Sequence, residues 1–341
     1  MPIETMKAVR ISRQGSPDVL SCEDLPVPAI RANEVLIRNE AAGINFADTE
    51  RRRGGYYPVA TPLPYVLGGE FSGVVVAVGG EVTGLHAGDR VFGITHPARS
   101  GCYAQYVAAP AGEVFPLPPG IGFAEATALL VQGLTAYLML RDGVRLTKND
   151  SVLVLAAAGG VGSLVVQLAR IMGAGQVVGA ASTPEKRQLV LGLGADSVID
   201  YTQPRWHNEV LRTTGDRGVD AVLLSGGGEM LSEAAASLAP FGRLAVYGTA
   251  NGEMPVIDFM NGLPNQVLMN LSFTLFALQF YFVHARSELA SALEELVGFV
   301  REGRLRLVLG PQLPLSAAAE AHRLLEGRQS TGKMVLLPWA D

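Results

Sequence analysis

The sequence predicts an α/β protein in which a doubly wound parallel sheet stands beside a smaller, mostly β domain. Three observations predict this class. Short strand patterns separated by glycine and proline fill the first third of the chain. From about residue 125, apolar runs alternate with helical patterns, and the end of the chain returns to strands. A length of 341 residues exceeds one ordinary core, and two domains are therefore expected.

The first third of the chain contains short runs that are rich in β-branched and aromatic residues. Pro26, the pair Gly68–Gly69 and Gly88 are among the breaks between them. Runs of this length, bounded by turn residues, favour a small β domain of barrel type. The predicted strands are Lys7–Ile11, Glu34–Ala42, Gly73–Val78 and Tyr103–Ala108.

The central part alternates strictly between strand and helix patterns. A helical pattern at 125–140 comes first, and the run Ser151–Leu155 is then continuously apolar, as in a parallel strand buried on both faces. The stripe of a helix follows at 160–172. Such alternation builds βαβ units and hence a parallel sheet. Further strands are predicted at 176–181, 197–200, 219–224 and 243–248, with helices at 184–193, 206–213 and 229–238.

The last part of the chain returns to strand patterns at 305–309 and 333–337, with a helix at 317–325 between them. We therefore predict that both ends of the chain build one domain, residues 1–130 and 277–341. Residues 131–276 then form the second domain.

Composition excludes several classes of function. The formal net charge is −5 and the densest basic cluster is Arg51–Arg53, so nucleic-acid binding has no electrostatic basis. Cys22 and Cys102 stand far apart without a CxxC pair, which favours a reducing compartment, and we predict a cytoplasmic protein. Residues 1–10 contain no long apolar stretch, and polar residues interrupt 267–283. Neither a signal peptide nor a membrane helix is expected.

The strongest local signal is the run Ala-Ala-Ala-Gly-Gly-Val-Gly at 156–162, between a predicted strand and a predicted helix. A glycine-rich turn there lets a pyrophosphate approach the backbone N–H groups of the helix. Gly159 would allow the close approach, and Gly162 would allow tight packing of helix on strand. Gly160 and Val161 complete the turn, whereas Ala157 stands where the first glycine of GxGxxG is usual. The sequence therefore predicts a dinucleotide site, although any α/β protein can contain a glycine-rich turn.

The residues after the second strand of this sheet favour NADPH over NADH. An NAD site usually has a carboxylate there, which binds the ribose hydroxyls. This chain instead has Ser182 and Thr183, followed by Lys186 and Arg187, and hydroxyls with cations suit a 2′-phosphate. Ser182 and Glu185 also have the spacing of a capping box. A helix cap and a phosphate site can coexist, because both use the same N–H groups.

Several phrases of the sequence resemble the zinc-independent medium-chain dehydrogenases/reductases, in particular the quinone oxidoreductases. They occur in order from about residue 7 to residue 337, so the resemblance covers nearly the whole chain. The phrases are Ala42–Thr49, Gly68–Val74, Val78–Gly79, Gly88–Val91, Gly133–Tyr137 and Gly332–Lys333.

This resemblance implies a GroES-like barrel for the catalytic domain and a Rossmann domain for the nucleotide. It implies that Ser182, Lys186 and Tyr201 surround the 2′-phosphate. Thr135, residues 159–161 and Lys333 would be further cofactor contacts. It also implies a homodimer that pairs through the last strand of the sheet, predicted at 271–278.

The residues that hold a catalytic zinc in related alcohol dehydrogenases are missing. Asn45 stands where the first cysteine is expected, and the phrase that would supply histidine reads Gly68-Gly69-Glu70. The five histidines are scattered without metal spacing, so no metal site is expected. Alcohol oxidation without zinc is disfavoured, because zinc lowers the pKa of the hydroxyl. A quinone or an enone needs only donors for its oxyanion.

Asn45 and Tyr57 are the candidate catalytic residues. Asn45 takes the lost ligand position, and Tyr57 follows the flexible pair Gly54–Gly55. A turn-forming Asn and a packed aromatic are the structural alternatives. Asp48 is a candidate for orienting the loop.

Three functions follow from these residues. NADPH-dependent reduction of quinones is the first, and reduction of the double bond of α,β-unsaturated carbonyls is the second, with Tyr57 as the acid. The third is an NADPH-binding protein with little turnover that acts through partners.

Overall fold

The computed structural model describes residues 4–55, 57, 59–96, 98–250, 252–256 and 269–341. The chain forms two compact units, Met1–Val131 with Leu307–Asp341 and Gln132–Arg306. Within the described residues the strands are β1 Thr5–Ile11, β2 Ser21–Pro26, β3 Glu34–Gly43, β4 Tyr65–Val66, β5 Glu70–Val78, β6 Arg90–Ile94, β7 Tyr106–Pro110, β8 Val114–Pro116, β9 Ser151–Val154, β10 Gln176–Ala180, β11 Ser197–Ile199, β12 Val219–Leu224, β13 Leu238–Val246, β14 Ser272–Leu275, β15 Leu309–Pro314 and β16 Lys333–Leu337.

The helices complete the two units, and the helical run 123–143 contains two π-helical segments, Leu129–Leu134 and Met139–Gly143. The α-helices are α1 Phe46–Arg53, α2 Phe123–Ala126, α3 Thr135–Leu138, α4 Gly160–Ile171, α5 Pro184–Gly192, α6 His207–Thr213, α7 Gly228–Ala236, α8 Gln279–His284, α9 Arg286–Arg301 and α10 Ala318–Glu326.

The first unit is a β barrel centred on β3. That strand pairs antiparallel with β5, β7 and β16, so the beginning and the end of the chain meet in one sheet. Its inward side chains, such as Ile37, alternate with outward ones and pack in one core with Phe71 of β5 and with Tyr103. The barrel that the resemblance implied is therefore confirmed.

The second unit is a six-stranded parallel sheet in the order β11-β10-β9-β12-β13-β14. The central strands are buried on both faces, because the helices α4 to α7 connect the strands from β9 to β13 and cover the sheet. This is the doubly wound parallel sheet that the alternation predicted, and it agrees with the Rossmann domain that the resemblance implied. All six strands are parallel, and their carboxyl ends therefore lie along one edge, where such sheets bind ligands.

Residues 277–306 belong to the second unit, whereas the sequence predicted a return to the barrel from residue 277. Their helix α9 packs on the second unit, and Tyr137 Oη donates to Glu295 at 2.5 Å. Arg306 at the end of this stretch exchanges two hydrogen bonds with the side chain of Gln167, of 2.8 and 3.0 Å. These bonds occupy the backbone of Arg306. The strand predicted at 305–309 begins only at Leu309.

Among the described residues, one helix, Phe123–Gly143, is long and apolar enough to cross a membrane, and 78% of its most apolar 18-residue stretch is buried inside the protein. From residue 269 onward, the apolar stretch 267–283 does not form one continuous helix. It contains the strand β14 and the helix α8, while residues 267 and 268 lie outside the described residues.

Candidate functional site

The glycine-rich run of the second unit forms a tight turn from β9 into α4. Ala156 has a left-handed backbone, with φ of 49°, and the N–H of Gly159 donates to its carbonyl oxygen at 2.9 Å. A Cβ on Gly162 would collide with that carbonyl oxygen and would lie 2.8 Å from Ala157 Cα. Only glycine lets α4 begin this close to the strand. The first N–H groups of α4 have no partner within the helix and are available to an anion.

Gln132 lies against the start of α4 and was not identified from the sequence. A Cβ on Gly160 would collide with its side-chain amide, and its buried Oε1 has no hydrogen-bond partner among the described residues. This oxygen only accepts hydrogen bonds, whereas Nε2 of the same amide could donate to a phosphate. The sequence signal was weak, because Gln132 stands 27 positions before Gly159 in a predicted helix.

Ser182, Lys186 and Tyr201 lie at the same edge of the sheet as the glycine-rich turn. Val154 at the end of β9 is in register with Gly179, and Ala180 at the end of β10 is in register with Ile199. The residues that follow these three neighbouring strands are therefore brought together. Burial lowers the pKa of Lys186, and Tyr201 packs partly against the core of the sheet.

The helix cap next to Ser182 differs from the expected one. The N-cap of α5 is Thr183, whose Oγ1 accepts from Lys186 N at 3.3 Å, so the capping box of Ser182 and Glu185 is wrong. Thr183 takes the cap because Pro184 is the first helical residue. The neighbouring cation Arg187 pairs with Asp200 at 3.0 Å and donates to the carbonyl of Ala181.

Thr135 opens α3 and is buried, and α3 packs against α4. It thus belongs to the unit that contains the glycine-rich turn. Lys333, which the resemblance grouped with Thr135 as a cofactor contact, belongs to the first unit.

Asn45, Glu70 and Lys333 form a buried polar cluster in the first unit. Asn45 is the N-cap of α1, and its Nδ2 donates to Glu70 Oε2 at 2.6 Å. Lys333 Nζ donates to the same carboxylate at 2.5 Å and to Asn45 Oδ1 at 3.0 Å. Glu70 and Lys333 are completely buried, whereas Asn45 is partly exposed.

The side chain of Glu70 has three hydrogen-bond partners, and the sequence predicted no role for this residue. Its second oxygen accepts from the N–H of Val131 at 2.7 Å, within the π-helical segment 129–134. Such π-helical turns occur frequently at functional sites. The sequence signal for Glu70 was its place in the phrase Gly68-Gly69-Glu70, where a carboxylate opens an otherwise apolar strand.

Asp48 connects the cluster to a second group of buried polar side chains. Its Oδ2 accepts from the N–H of Asn45 at 2.9 Å and from Tyr103 Oη at 3.1 Å, and Tyr103 Oη lies 3.2 Å from His322 Nε2. Burial raises the pKa of Asp48 to about 6, although these hydrogen bonds and Lys333 oppose the change. Burial and the nearby Arg52 lower the pKa of His322 to about 3, so the imidazole is neutral.

Asp48→Asn is expected to gain stability relative to the parent protein as the pH rises from 4 to 7. The folded protein keeps a proton on Asp48 up to about pH 6, while the unfolded chain releases it near the ordinary pKa of 3.8. This group therefore costs the parent stability as pH rises through that window, by roughly 3 kcal/mol in total. Urea unfolding of both proteins across the window measures the difference. A difference that is constant with pH contradicts the prediction.

Tyr57 lies beside the cation Arg51, whose guanidinium is 4.7 Å from its ring and 4.4 Å from the ring of Tyr65. Arg51 Nε also donates to Thr61 Oγ1 at 3.1 Å and thereby holds the segment that follows Tyr57. Burial raises the pKa of the Tyr57 phenol, and Arg51 opposes the change. The phenol keeps its proton at neutral pH and can act as a donor.

Two groups of residues in the chain are thus candidates for ligand binding and catalysis. The edge of the parallel sheet offers backbone N–H groups, a hydroxyl and a lysine to a phosphorylated ligand. The cluster of Asn45, Glu70 and Lys333 offers a fixed amide, and Tyr57 of the same unit offers a phenol. Among the described residues, no group of three His, Cys, Asp or Glu side chains could hold a metal ion.

Known proteins resemble the chain over nearly its full length. Residues 31–119 match the alcohol dehydrogenase GroES-like domain, and residues 193–336 match the family described as zinc-binding dehydrogenase. The chain is 36% identical to a quinone oxidoreductase of Pseudomonas aeruginosa over 332 residues, which cover 97% of this chain and 99% of the relative. It is 34% identical to a 2-haloacrylate reductase of Burkholderia sp over 336 residues, 98% of this chain and 99% of the relative.

A solved structure shows the same likeness. The quinone oxidoreductase of Escherichia coli, crystallised with NADPH, has a TM-score of 0.88 and 32% identity, covering 97% of this chain and 100% of that one. This chain and these relatives therefore agree in fold, in sequence and in length. The chain belongs to the quinone oxidoreductase-like branch of the medium-chain dehydrogenase/reductase family, and it is an oxidoreductase.

Proposed function

We propose that this oxidoreductase reduces quinones with NADPH and without zinc. The observation that carries the proposal is the edge of the parallel sheet. There, the glycine-rich turn, Ser182, Lys186 and Tyr201 follow three neighbouring strands. The E. coli relative was crystallised with NADPH, and the P. aeruginosa relative is named a quinone oxidoreductase. When bound, NADPH supplies the hydride.

The residues of this edge have separate roles in the proposal. The N–H groups of residues 160–162 bind the pyrophosphate, and Gly159 and Gly162 leave it room. Lys186 donates to the 2′-phosphate, next to Ser182 and Tyr201. Thr135 contributes to the same nucleotide site from α3. No carboxylate follows β10 at 181–183 to repel a 2′-phosphate.

Lys186→Ala is expected to lower the preference for NADPH over NADH roughly 10- to 100-fold, since a hydrogen bond to a charged group contributes about 1.5–3 kcal/mol. The matched control is Arg187→Ala, because Asp200 and the carbonyl of Ala181 already hold Arg187. Its preference should change less than about 3-fold by the same reasoning. Titration of both cofactors measures the two ratios. Equal effects of the two substitutions contradict the assignment of Lys186.

We propose a reaction without zinc because of the polar cluster that Asn45, Glu70 and Lys333 form in the first unit. Lys333 Nζ lies between Asn45 Oδ1 and Glu70 Oε2, where its ammonium already satisfies both oxygens. A zinc ion needs about four N, S or O ligands in tetrahedral array and would be repelled by this cation. These residues do not fit a zinc ion, even though one matching family is described as zinc-binding.

In this proposal, Asn45 donates a hydrogen bond to the oxygen of the quinone that is reduced, and the phenol of Tyr57 is a further hydrogen-bond donor. A second candidate function is double-bond reduction in α,β-unsaturated carbonyls. The protonated phenol of Tyr57 favours it, since a proton must then reach carbon, and one relative is a 2-haloacrylate reductase.

The assay that distinguishes these functions follows the absorbance of NADPH at 340 nm in metal-free buffer. It offers 1,4-benzoquinone, 9,10-phenanthrenequinone and 2-hexenal in parallel, with NADH as the comparison cofactor. Turnover with a quinone supports the leading function, and turnover with the enal alone moves the assignment to double-bond reduction. NADPH binding without turnover would favour a binding protein that acts through partners.

We further infer a cytoplasmic homodimer that pairs through β14. Both cysteines are free thiols, as in a reducing compartment. β14 is the edge of its sheet, and Leu275 on it is 71% exposed. An exposed apolar edge strand tends to pair with another strand.

Leu275→Lys is therefore expected to give monomers, because two lysines would meet across the proposed two-fold contact. Light scattering of the purified protein measures the mass. Val76→Lys, which changes a 41% exposed valine of the first unit, is the control and should remain dimeric. An intact Leu275→Lys dimer would place the contact elsewhere.

A further inference from the structure

The side-chain amide of Asn45 is held between a cation and a carboxylate. Lys333 Nζ lies 3.0 Å from its Oδ1, and Glu70 Oε2 lies 2.6 Å from its Nδ2. A lysine ammonium only donates hydrogen bonds, and an ionised carboxylate only accepts them. The two partners therefore allow a single orientation of the amide, with its oxygen toward Lys333 and its nitrogen toward Glu70.

One N–H of Asn45 remains for a ligand. Nδ2 carries two hydrogens, of which Glu70 accepts one. In the part of the chain that the structure describes, the other hydrogen has no acceptor, and Asn45 is partly exposed whereas Glu70 and Lys333 are buried. The hydrogen bond from Lys333 to Oδ1 also polarises the amide and strengthens this remaining donor.

The cluster is tightly packed around the amide. Glu70 is fixed from its other oxygen by the N–H of Val131 at 2.7 Å. A Cβ on Gly43 would lie 2.7 Å from Glu70 Oε2 and 2.8 Å from Lys333 Cε. Neither ion can move without breaking a hydrogen bond, and a single added methyl group would displace both.

We propose that Glu70 and Lys333 are positioning residues that fix the amide of Asn45, so that its second N–H donates to the carbonyl oxygen of the bound acceptor. The inference rests on the proposed function. The acceptor gains a hydride from NADPH, which leaves as NADP⁺, and its oxygen carries the negative charge until it takes a proton from water. A donor that is already oriented toward this oxygen stabilises the charge without reorganisation. Lys333 thus acts through Asn45 and not by contact with the cofactor.

The test is a mutant cycle on the full chain. Asn45→Ala removes the donor, and Glu70→Gln with Lys333→Met removes the ion pair while leaving no unpaired charge. Gly43→Ala displaces the pair without removing any group. Glu34→Gln with Arg99→Met is the matched control, because that pair lies at the other end of β3. Gly112→Ala, which adds a methyl group in open space, is the control for Gly43→Ala.

Asn45→Ala is expected to lower kcat about 100-fold, and the neutral double variant and Gly43→Ala about 10-fold each. The dissociation constant of NADPH should stay within about 2-fold of the parent value in all of them. The triple variant combines Asn45→Ala with Glu70→Gln and Lys333→Met. If the pair acts through Asn45, its kcat is no lower than that of Asn45→Ala alone. A triple variant whose loss of kcat is the product of the two separate losses would overturn the proposal. Weakened NADPH binding in the double variant would also overturn it.

A second readout needs no turnover. Side-chain amide signals of ¹⁵N-asparagine in the cofactor-free protein can be assigned to Asn45 from their loss in Asn45→Ala. The signals should exchange with water faster in the double variant and in Gly43→Ala than in either control. Unchanged exchange overturns the positioning role. Absence of turnover in the parent with every acceptor would overturn the proposed function and the role of the donor, while the exchange data still report on amide orientation.

Discussion

Gly162→Ala is expected to weaken NADPH binding at least about 100-fold. The added methyl group would collide with the carbonyl oxygen of Ala156 and lie 2.8 Å from Ala157 Cα, both of which are backbone atoms. Helix α4 must then move away from β9, and the N–H groups that hold the pyrophosphate move with it. Loss of two charge-assisted hydrogen bonds, each contributing about 1.5–3 kcal/mol, gives an effect of this size.

Titration of NADPH fluorescence measures the affinity, and thermal unfolding confirms that the variant is folded. Gly192→Ala is the matched control, since it adds the same methyl group to α5 with nothing within 4 Å. It should bind NADPH like the parent and be slightly more stable, by up to about 1 kcal/mol. An affinity of Gly162→Ala close to that of the control would remove the glycine-rich turn from the proposed nucleotide site.

The second large effect is expected from Lys333→Met, which should lower the free energy of unfolding by roughly 3–5 kcal/mol. The substitution leaves the carboxylate of Glu70 completely buried without its cation. Lys7→Met removes a lysine from an exposed pair in the same unit, 2.8 Å from Asp24, and should change the stability much less than Lys333→Met.

Urea unfolding of the cofactor-free proteins provides the comparison. Adding Glu70→Gln to Lys333→Met should recover most of the loss, because a neutral pair leaves no charge unpaired. Similar losses for Lys333→Met and Lys7→Met would show that burial of this ion pair is unimportant for stability.

The sequence predicted the parallel sheet well and the polar cluster poorly, for a physical reason. Burial on both faces leaves a local mark, since a strand such as Ser151–Val154 must be apolar at every position. The contact between Glu70 and Lys333 leaves none, because 263 positions separate the two residues. Each looks alone like a surface charge, and only the pairing of β16 with β3 and of β3 with β5 brings them together.

The candidate nucleotide site was predictable because its parts follow consecutive strands. Gly162, Ser182 and Tyr201 each come within eight positions of a strand end, and parallel pairing places those ends side by side. The choice between Ser182 and Thr183 as the helix cap was not predictable from residue type, since both hydroxyls suit the role. Gln132 was missed because its contact with Gly160 depends on how the helical run 123–143 passes α4.

The position of β16 inside its sheet has a consequence for biosynthesis. β16 lies between β15 and β3, so the barrel lacks an interior strand until Lys333–Leu337 have left the ribosome. Residues 132–306 are contiguous, and their sheet can assemble earlier in translation. During that interval the end of β3 at Ala42 and Gly43 lacks its β16 partner, and this short unpaired backbone is exposed to other nascent chains. A premature stop before Lys333 would make this exposure permanent, and aggregation or proteolysis of the truncated chain is the expected outcome.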